Sequence, residues 1–390
     1  MRDFRDKIAI VGIGATPGMK QSGVSVLALA TRAIKEAIED AGLSSKDIDG
    51  MCTNMGGDTV TPHQVASAMG IPELKWSGIY SGGGFASNTC VLTAAAMVNM
   101  GVCNYAVAYR AQNGRSGVRI GGQGRFSDAG GPPRVRGAAG AMLYGMATPP
   151  QGFAMKARAH MEKYGSTSEQ FGWIAVTTRY HASLNPLSQM PSPITLEDHQ
   201  TSRWVVEPFH LLDCCLDTDQ GCALIVTTAE RAKSLKHRPV HILGAAAGTG
   251  PMSTHGDMWP DLTELYGKYT APRVFEMAGV TPKDIDAAEL YDCFTSITLV
   301  QLEDYGFVKR GEGGPFVEGG HRIRLGGELP VNTHGGNLSE AYRQGMGHVI
   351  EGARQLRHEL PAERQVKNAE LILTTGQGGP HGAALILRKG

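Results

Sequence analysis

The stretch Ala41-Gly42-Leu43-Ser44-Ser45-Lys46-Asp47-Ile48-Asp49 returns far downstream as Ala278-Gly279-Val280-Thr281-Pro282-Lys283-Asp284-Ile285-Asp286. Each copy follows a helix-like segment and leads into a strand-like one, Gly50-Met51-Cys52 and Ala287-Ala288-Glu289. An apolar run ending in glycine stands before each helix, Lys7 to Gly12 and Val240 to Gly244. So long a match at equivalent places marks an internal duplication, and its order makes each half a βαβ-rich unit. The chain is thereby constrained to an α/β fold built twice from one plan.

The remaining segments obey that plan. Apolar residues at helical spacing run from Ser25 to Ala41, and Gly42 stops the helix. Gly82-Gly83-Gly84 opens an Ala-rich helix over Ser87 to Met100; strands follow at Tyr105–Tyr109 and Gln220–Thr227. In the second half Gly335-Gly336 opens a helix running to about Arg357. Ala369–Thr374 and Ala383–Leu387 are the last two strands, joined by a glycine-rich turn. Residues 111–210 have no partner in the second half, and such an insertion usually caps a site. The expected division is 1–232, with the insertion at about 111–210, and 233–390.

Composition removes several functions. Lys and Arg number 37 and Asp and Glu 37, so there is no basic surplus for nucleic acid. No run of about 18 apolar residues occurs, so no membrane span is expected. The N-terminus lacks a signal-peptide core and the seven cysteines form no CxxC pair, which points to reduced thiols in the cytoplasm. Adjacent Cys214 and Cys215 read as a buried apolar pair. The thirteen histidines are scattered and make no metal site. Glycine numbers 52 where average usage gives roughly 27, a sign of many tight backbone turns.

Gly12-Ile13-Gly14-Ala15-Thr16-Pro17-Gly18 superficially resembles a dinucleotide fingerprint. Its third glycine is late and Pro17 sits where the helix should begin, so a plain strand-to-loop turn is the better reading. Three other clusters stand at strand ends or helix starts, where α/β sheets bind ligands. They are Glu289-Leu290-Tyr291-Asp292-Cys293-Phe294-Thr295, Asn332 to Tyr342 with Gly335 and Gly336, and Thr375-Gly376-Gln377-Gly378-Gly379-Pro380-His381-Gly382, a turn expected to expose its amides. Three on one half favour a shared site.

At these residues the chain resembles the thiolase superfamily over nearly its whole length. The resemblance implies a thiolase fold: two duplicated βαβαβαββ-type halves in a five-layered αβαβα arrangement, with a loop-domain insertion in the first half. Family thiolases carry a nucleophilic Cys at a helix start, a His in His-Asp-Cys-Phe, a second His after Gly-Gly, and a Cys in the final glycine-rich turn. Here those places fall on Gly84, Tyr291 (in Tyr291-Asp292-Cys293-Phe294), Tyr342 and Gly376. Two tyrosines for two histidines, and glycines for both cysteines, resemble the thiolase-like aldolases called lipid-transfer proteins of bacterial steroid side-chain degradation. Tyr291 to Phe307 is especially similar.

That resemblance implies retro-aldol cleavage of a β-hydroxyacyl-CoA, giving a ring ketone and propionyl-CoA. No covalently bound cofactor is implied, and coenzyme A enters as part of the substrate. It also implies a homodimer through the thiolase core, joined into a heterotetramer by a small zinc-ribbon and OB-fold protein, separate or fused to a hydratase, which holds any zinc. Without a thiolate there is no acyl-enzyme. One of Tyr291 and Tyr342 is expected as general base and the other as proton donor or enolate stabiliser. Asp292, Cys293, His348, Gly84, Gly335, Gly336, Gly376 and Gly378 are expected to support the site, with glycine at 84 leaving room for an α-branched substrate. Two other readings stay open: an acyltransferase such as an acetyl-CoA acetyltransferase, using Cys90 or Cys293, and a non-catalytic acyl-CoA-binding scaffold.

Overall fold

The computed structural model describes residues 5–54, 58–117, 146, 148–250, 260–378 and 380–390. The strands are β1 Ile8–Ala15, β2 Gly50–Asn54, β3 Trp76–Tyr80, β4 Ala106–Asn113, β5 Trp204–Val206, β6 Phe209–His210, β7 Asp219–Thr228, β8 Val240–Thr249, β9 Ala287–Glu289, β10 Leu371–Gly378 and β11 His381–Lys389. Nine of them share one sheet in the order β3-β2-β4-β7-β1-β8-β11-β10-β9, while β5 and β6 form a separate ribbon.

The duplication is written into this order. From the centre outward, β1-β7-β4-β2 matches β8-β11-β10-β9 strand for strand, with the same parallel and antiparallel pairings. Val331 pairs in parallel with Ala288 where β3 pairs with β2, a remnant of the outermost strand. Antiparallel pairs Ala9–His241 and Ile10–Val240 join the two half-sheets at their edges.

Five layers result, αβαβα. The Val26–Ala41 helix covers the first half-sheet through Leu29, Ala33, Ile34, Ala37 and Ile38. Gly12 and Gly14 sit beneath it, where a Cβ would run into the Ala37 and Ala33 carbonyls. Those glycines permit close helix–strand packing and carry no nucleotide signature. Helices Phe85–Asn99 and Met346–Arg357 fill the layer between the sheets, with Val91 and Ala94 packed in one core with Val349 and Ile350. The Gly267–Ala278 helix covers the second half-sheet.

The long segment after β4 crosses onto the opposite half. Its Ser168–Ser183 helix buries Phe171 and Ile174 with Phe294 and Leu299 of the second half. Phe294 also stacks on Phe209 at 5.0 Å. Residues 118–145, within the 111–210 insertion read from the sequence, lie outside the described residues.

Two local expectations are corrected. No continuous helix runs from Gly335 to Arg357: a π-helical turn covers Gly336–Glu340, Ala341 is extended, and the helix begins only at Met346. Gln344 (φ 52°) and Gly345 (φ 89°) are left-handed and stop helical propagation between them. The second concerns Thr375–Gly378, which do not form an open turn. They continue β10, paired with Ala384 to His381 of β11, so this stretch is strand and not turn. Strand β11 begins at His381.

Candidate active site

Tyr291 and Tyr342, 51 residues apart, meet phenol to phenol at 3.0 Å, both buried. Tyr291 follows β9 in an extended stretch held by a closed set of bonds. Its N–H donates to Thr375 Oγ1 (2.8 Å), Thr375 Oγ1 donates to Gln301 Oε1 (2.6 Å), and Gln301 Nε2 returns a bond to the Tyr291 carbonyl (2.6 Å). Tyr342 lies in the non-helical loop and is held by the first half. Its N–H donates to Thr218 Oγ1 and its carbonyl accepts from Gln112 Nε2, both at 3.0 Å. Both tyrosines belong to the second half, and Tyr342 is tied to residues of the first.

Asp292 braces the two tyrosine segments together. Its carboxylate accepts from the Asn337 amide (2.8 Å), the Leu338 amide (3.3 Å) and His348 Nε2 (3.0 Å). Gly336 is required here, since its φ is +57° and a Cβ would overlap this carboxylate. Gly335, at φ +106°, packs against Ala182 of the inserted segment. His348 is wholly buried with its ring 6.2 Å from that of Tyr291, so it stands behind the phenols, tied to Asp292.

Gly84 changes the picture drawn from sequence. Its backbone is ordinary right-handed (φ −62°, ψ −29°), so conformation does not demand glycine. Space does: a Cβ would overlap the Tyr291 ring and lie 2.6 Å from the Gln377 carbonyl. The room expected for a branched substrate is therefore filled by the tyrosine itself. A Cβ on Gly376 would come within 2.6 Å of the Gly84 carbonyl, so the two glycines close against each other. Gly378 ends β10 opposite His381.

Thiols give no nucleophile here. All seven cysteines are free. Cys90 is wholly buried in the central helix layer, its carbonyl accepting from the Cys52 thiol at 3.4 Å. Burial, then the Asp292 charge, pushes the Cys293 thiol well above its usual range, and burial does the same to Cys215. Cys214 and Cys215 are half-buried against the site's core.

Both phenols are likewise pushed up, first by burial, and stay neutral around pH 7. For Tyr342 hydrogen bonds from Tyr291 and Gln344 oppose the rise; for Tyr291 its bond to Tyr342 adds to it. Two neutral hydroxyls in contact can relay a proton and donate hydrogen bonds to a developing oxyanion. Among the described residues no group of three His, Cys, Asp or Glu is placed to hold a metal.

Asn54, Gln344, Thr218, Gln112 and His334 were not singled out from sequence. Asn54 had a signal, a polar residue ending a strand, and His334 lay inside the Asn332–Tyr342 cluster; Gln344, Thr218 and Gln112 become visible only when the halves close.

A family model described as thiolase C-terminal domain-like matches residues 248–388. The chain is 46% identical over 383 residues, 95% of each chain, to the steroid side-chain-cleaving aldolase of Thermomonospora curvata. It is 44% identical over 387 residues to the 17-hydroxy-3-oxo-4-pregnene-20-carboxyl-CoA lyase of Mycobacterium tuberculosis, covering 97% of this chain and 98% of that one. A solved structure titled Ltp2-ChsH2(DUF35) aldolase superposes with a TM-score of 0.91 at 42% identity, over 99% of this chain and 98% of that one. A fold duplicated on the thiolase plan, with phenols and glycines where thiolases keep histidines and thiols, agrees with these relatives along its whole length: the chain belongs to the thiolase superfamily, among its thiolase-like steroid side-chain aldolases.

Proposed function

We propose that this chain is an aldolase that cleaves the carbon–carbon bond between the α and β carbons of a β-hydroxyacyl-CoA, without an acyl-enzyme. The observation that carries the reading is the buried Tyr291–Tyr342 contact at 3.0 Å, built where a thiolase would hold its thiol. One phenol, neutral at rest, takes the proton of the β-hydroxyl and passes its own to the other phenol, as the substrate oxygen becomes a ketone. The α–β bond breaks and its electron pair passes into the thioester as an enolate, held by a hydroxyl donor. The second phenol gives up the proton it held to the α-carbon, which completes the acyl-CoA product and leaves both phenols neutral again.

The substrate named for the M. tuberculosis relative bears a 17-hydroxyl β to its thioester carbonyl. The same class here gives a 17-ketone and propionyl-CoA, with coenzyme A entering only within the substrate. Asp292, His348, Gly335 and Gly336 hold the tyrosine segments, and Gly84 and Gly376 let them close.

The neighbour titled as an Ltp2-ChsH2(DUF35) assembly supports a second subunit. We propose a small zinc-ribbon and OB-fold partner, any zinc being its own, on a homodimeric core, giving a heterotetramer. No helix among the described residues is long and apolar enough to cross a membrane.

The test is cleavage of a β-hydroxyacyl-CoA by the co-expressed complex carrying Tyr291→Phe or Tyr342→Phe. Each variant is expected to lose at least about 100-fold in kcat, the usual contribution of positioned acid–base groups. Near-wild-type turnover in both variants, with the complex intact, would refute the assignment.

A further inference from the structure

Both tyrosines are gripped at the backbone in the same way, by one threonine hydroxyl and one glutamine amide. Thr375 Oγ1 accepts the Tyr291 N–H and Gln301 Nε2 donates to the Tyr291 carbonyl. Thr218 Oγ1 accepts the Tyr342 N–H and Gln112 Nε2 donates to the Tyr342 carbonyl. The first grip closes on itself, because Thr375 Oγ1 also donates to Gln301 Oε1. The second is closed by a charge instead: Gln112 Oε1 accepts from Nη2 of Arg110, its neighbour on the same face of β4.

Arg110 is wholly buried. Its Nη2 also meets the Asp58 carboxylate at 2.7 Å, which balances the charge. Its Nη1 donates to the Asn54 carbonyl at 3.1 Å and to the Ala111 carbonyl at 3.3 Å. Asn54 carries that hold onward, since its Nδ2 donates to Gln344 Oε1 at 2.9 Å and to the Gly83 carbonyl at 3.1 Å. One cation of the first half therefore reaches the Tyr342 loop by two routes, through Gln112 at the Tyr342 carbonyl and through Asn54 at Gln344.

The groups on either side fix the Gln112 amide in one orientation. A guanidinium only donates and a carbonyl oxygen only accepts, so the amide between them turns its oxygen to Arg110 and its NH2 to Tyr342. Without the guanidinium the amide is free to flip, and a flipped amide sets its oxygen against the Tyr342 carbonyl oxygen. A lysine at 110 would still balance Asp58, but a single point of charge has no planar fork with which to hold Gln112 and Asn54 together.

Resting on the reading of Tyr291 and Tyr342 as the reacting pair, we propose that Arg110 is a positioning residue for Tyr342. Through Gln112 and Asn54 it holds the Tyr342 loop where the two phenols meet. None of its hydrogen bonds ends on either phenol, so it acts by placement.

Two variants of the co-expressed complex, read beside Tyr342→Phe, test this. Arg110→Lys keeps the charge against Asp58 and loses the fork. Gln112→Glu keeps an acceptor for Arg110 and loses the donor to the Tyr342 carbonyl. Each is expected to lose about 10- to 100-fold in kcat, the effect of moving a reacting group by roughly 1 Å. KM should stay unchanged, because no substrate contact is removed. The double variant should lose less than the product of the two single losses, since both act on one link. An Arg110→Lys complex with a lowered unfolding midpoint but unmodified kcat would make Arg110 a purely structural residue and overturn the inference. Unmodified kcat in Gln112→Glu overturns it as well, and decides the matter if Arg110→Lys fails to assemble. In either case an inactive Tyr342→Phe leaves the tyrosine pair standing. An active Tyr342→Phe variant overturns the pair, and this inference with it.

Discussion

Gly84 shows how a single residue decides which chemistry a fold can host. In the family pattern its position belongs to a nucleophile, and the sequence alone suggests that glycine there makes a vacancy. Instead the space is occupied: a Cβ would meet the Tyr291 ring. The exchange of His for Tyr and of Cys for Gly is thus one coupled change, since the larger ring needs the volume that the side chain at 84 gives up. Gly84→Ala should accordingly overpack the site. We expect a loss of about 1–3 kcal/mol, read by urea denaturation, together with a kcat loss of at least about tenfold as the phenol is displaced. An alanine variant with unchanged midpoint and turnover would show that Tyr291 has other room. Tyr291 and Tyr342 themselves were legible as residue types at strand and loop ends; that their hydroxyls touch was not, because no local pattern reports a contact between residues 291 and 342.

At the scale of the element, the loop from Asn332 to Gly345 does what a helix could not. A helix through Tyr342 would commit its backbone groups to neighbouring turns, whereas the loop offers them to Thr218 and Gln112 of the other half. The loop is stiffened from behind by His334, whose Nδ1 lies 2.9 Å from Glu289 and whose Nε2 is 3.9 Å from Glu340. Burial alone would depress this histidine, but the Glu289 bond, with the Glu289 and Glu340 charges, raises it to about 9. The raised value fixes a sign: the stabilisation is fully present below the unfolded value of 6.5 and is lost as pH climbs through about 9. Denaturation midpoints of the native chain should therefore fall between pH 6.5 and 9. His334→Leu should flatten that slope and cost about 3–5 kcal/mol at neutral pH, because it leaves buried carboxylates uncompensated. An unchanged slope in the variant would mean that His334 is neutral in the folded chain. Gly335-Gly336 read correctly as the start of an element from sequence, yet the element proved to be one π turn. Extended Ala341 ends the turn and the left-handed pair Gln344 and Gly345 delays the helix to Met346, an effect that local propensity does not convey for glutamine.

For the whole molecule, duplication produced two half-sheets but not two independent bodies. The β1–β8 pairing joins them. Buried Arg343 of the second half donates to the Thr16 and Gly221 carbonyls of the first (2.8 and 3.3 Å), and Arg357 reaches Asp40 at 2.7 Å. Unfolding by heat or urea is accordingly expected as one transition shared by intrinsic fluorescence and circular dichroism. Two separated transitions would show that the halves are energetically distinct. The sequence by itself determined the repeated plan, the order of the three site segments, and the loss of both family thiols, because periodicity and motif spacing are local and survive in one dimension. Only the tertiary structure decided that the Tyr291 ring fills the space beside Gly84, that the two phenols touch, and that Asn54 hydrogen-bonds Gln344 from the opposite half. Each of those rests on atoms brought together by closing one half onto the other, and packing of that kind leaves no periodic trace in the chain.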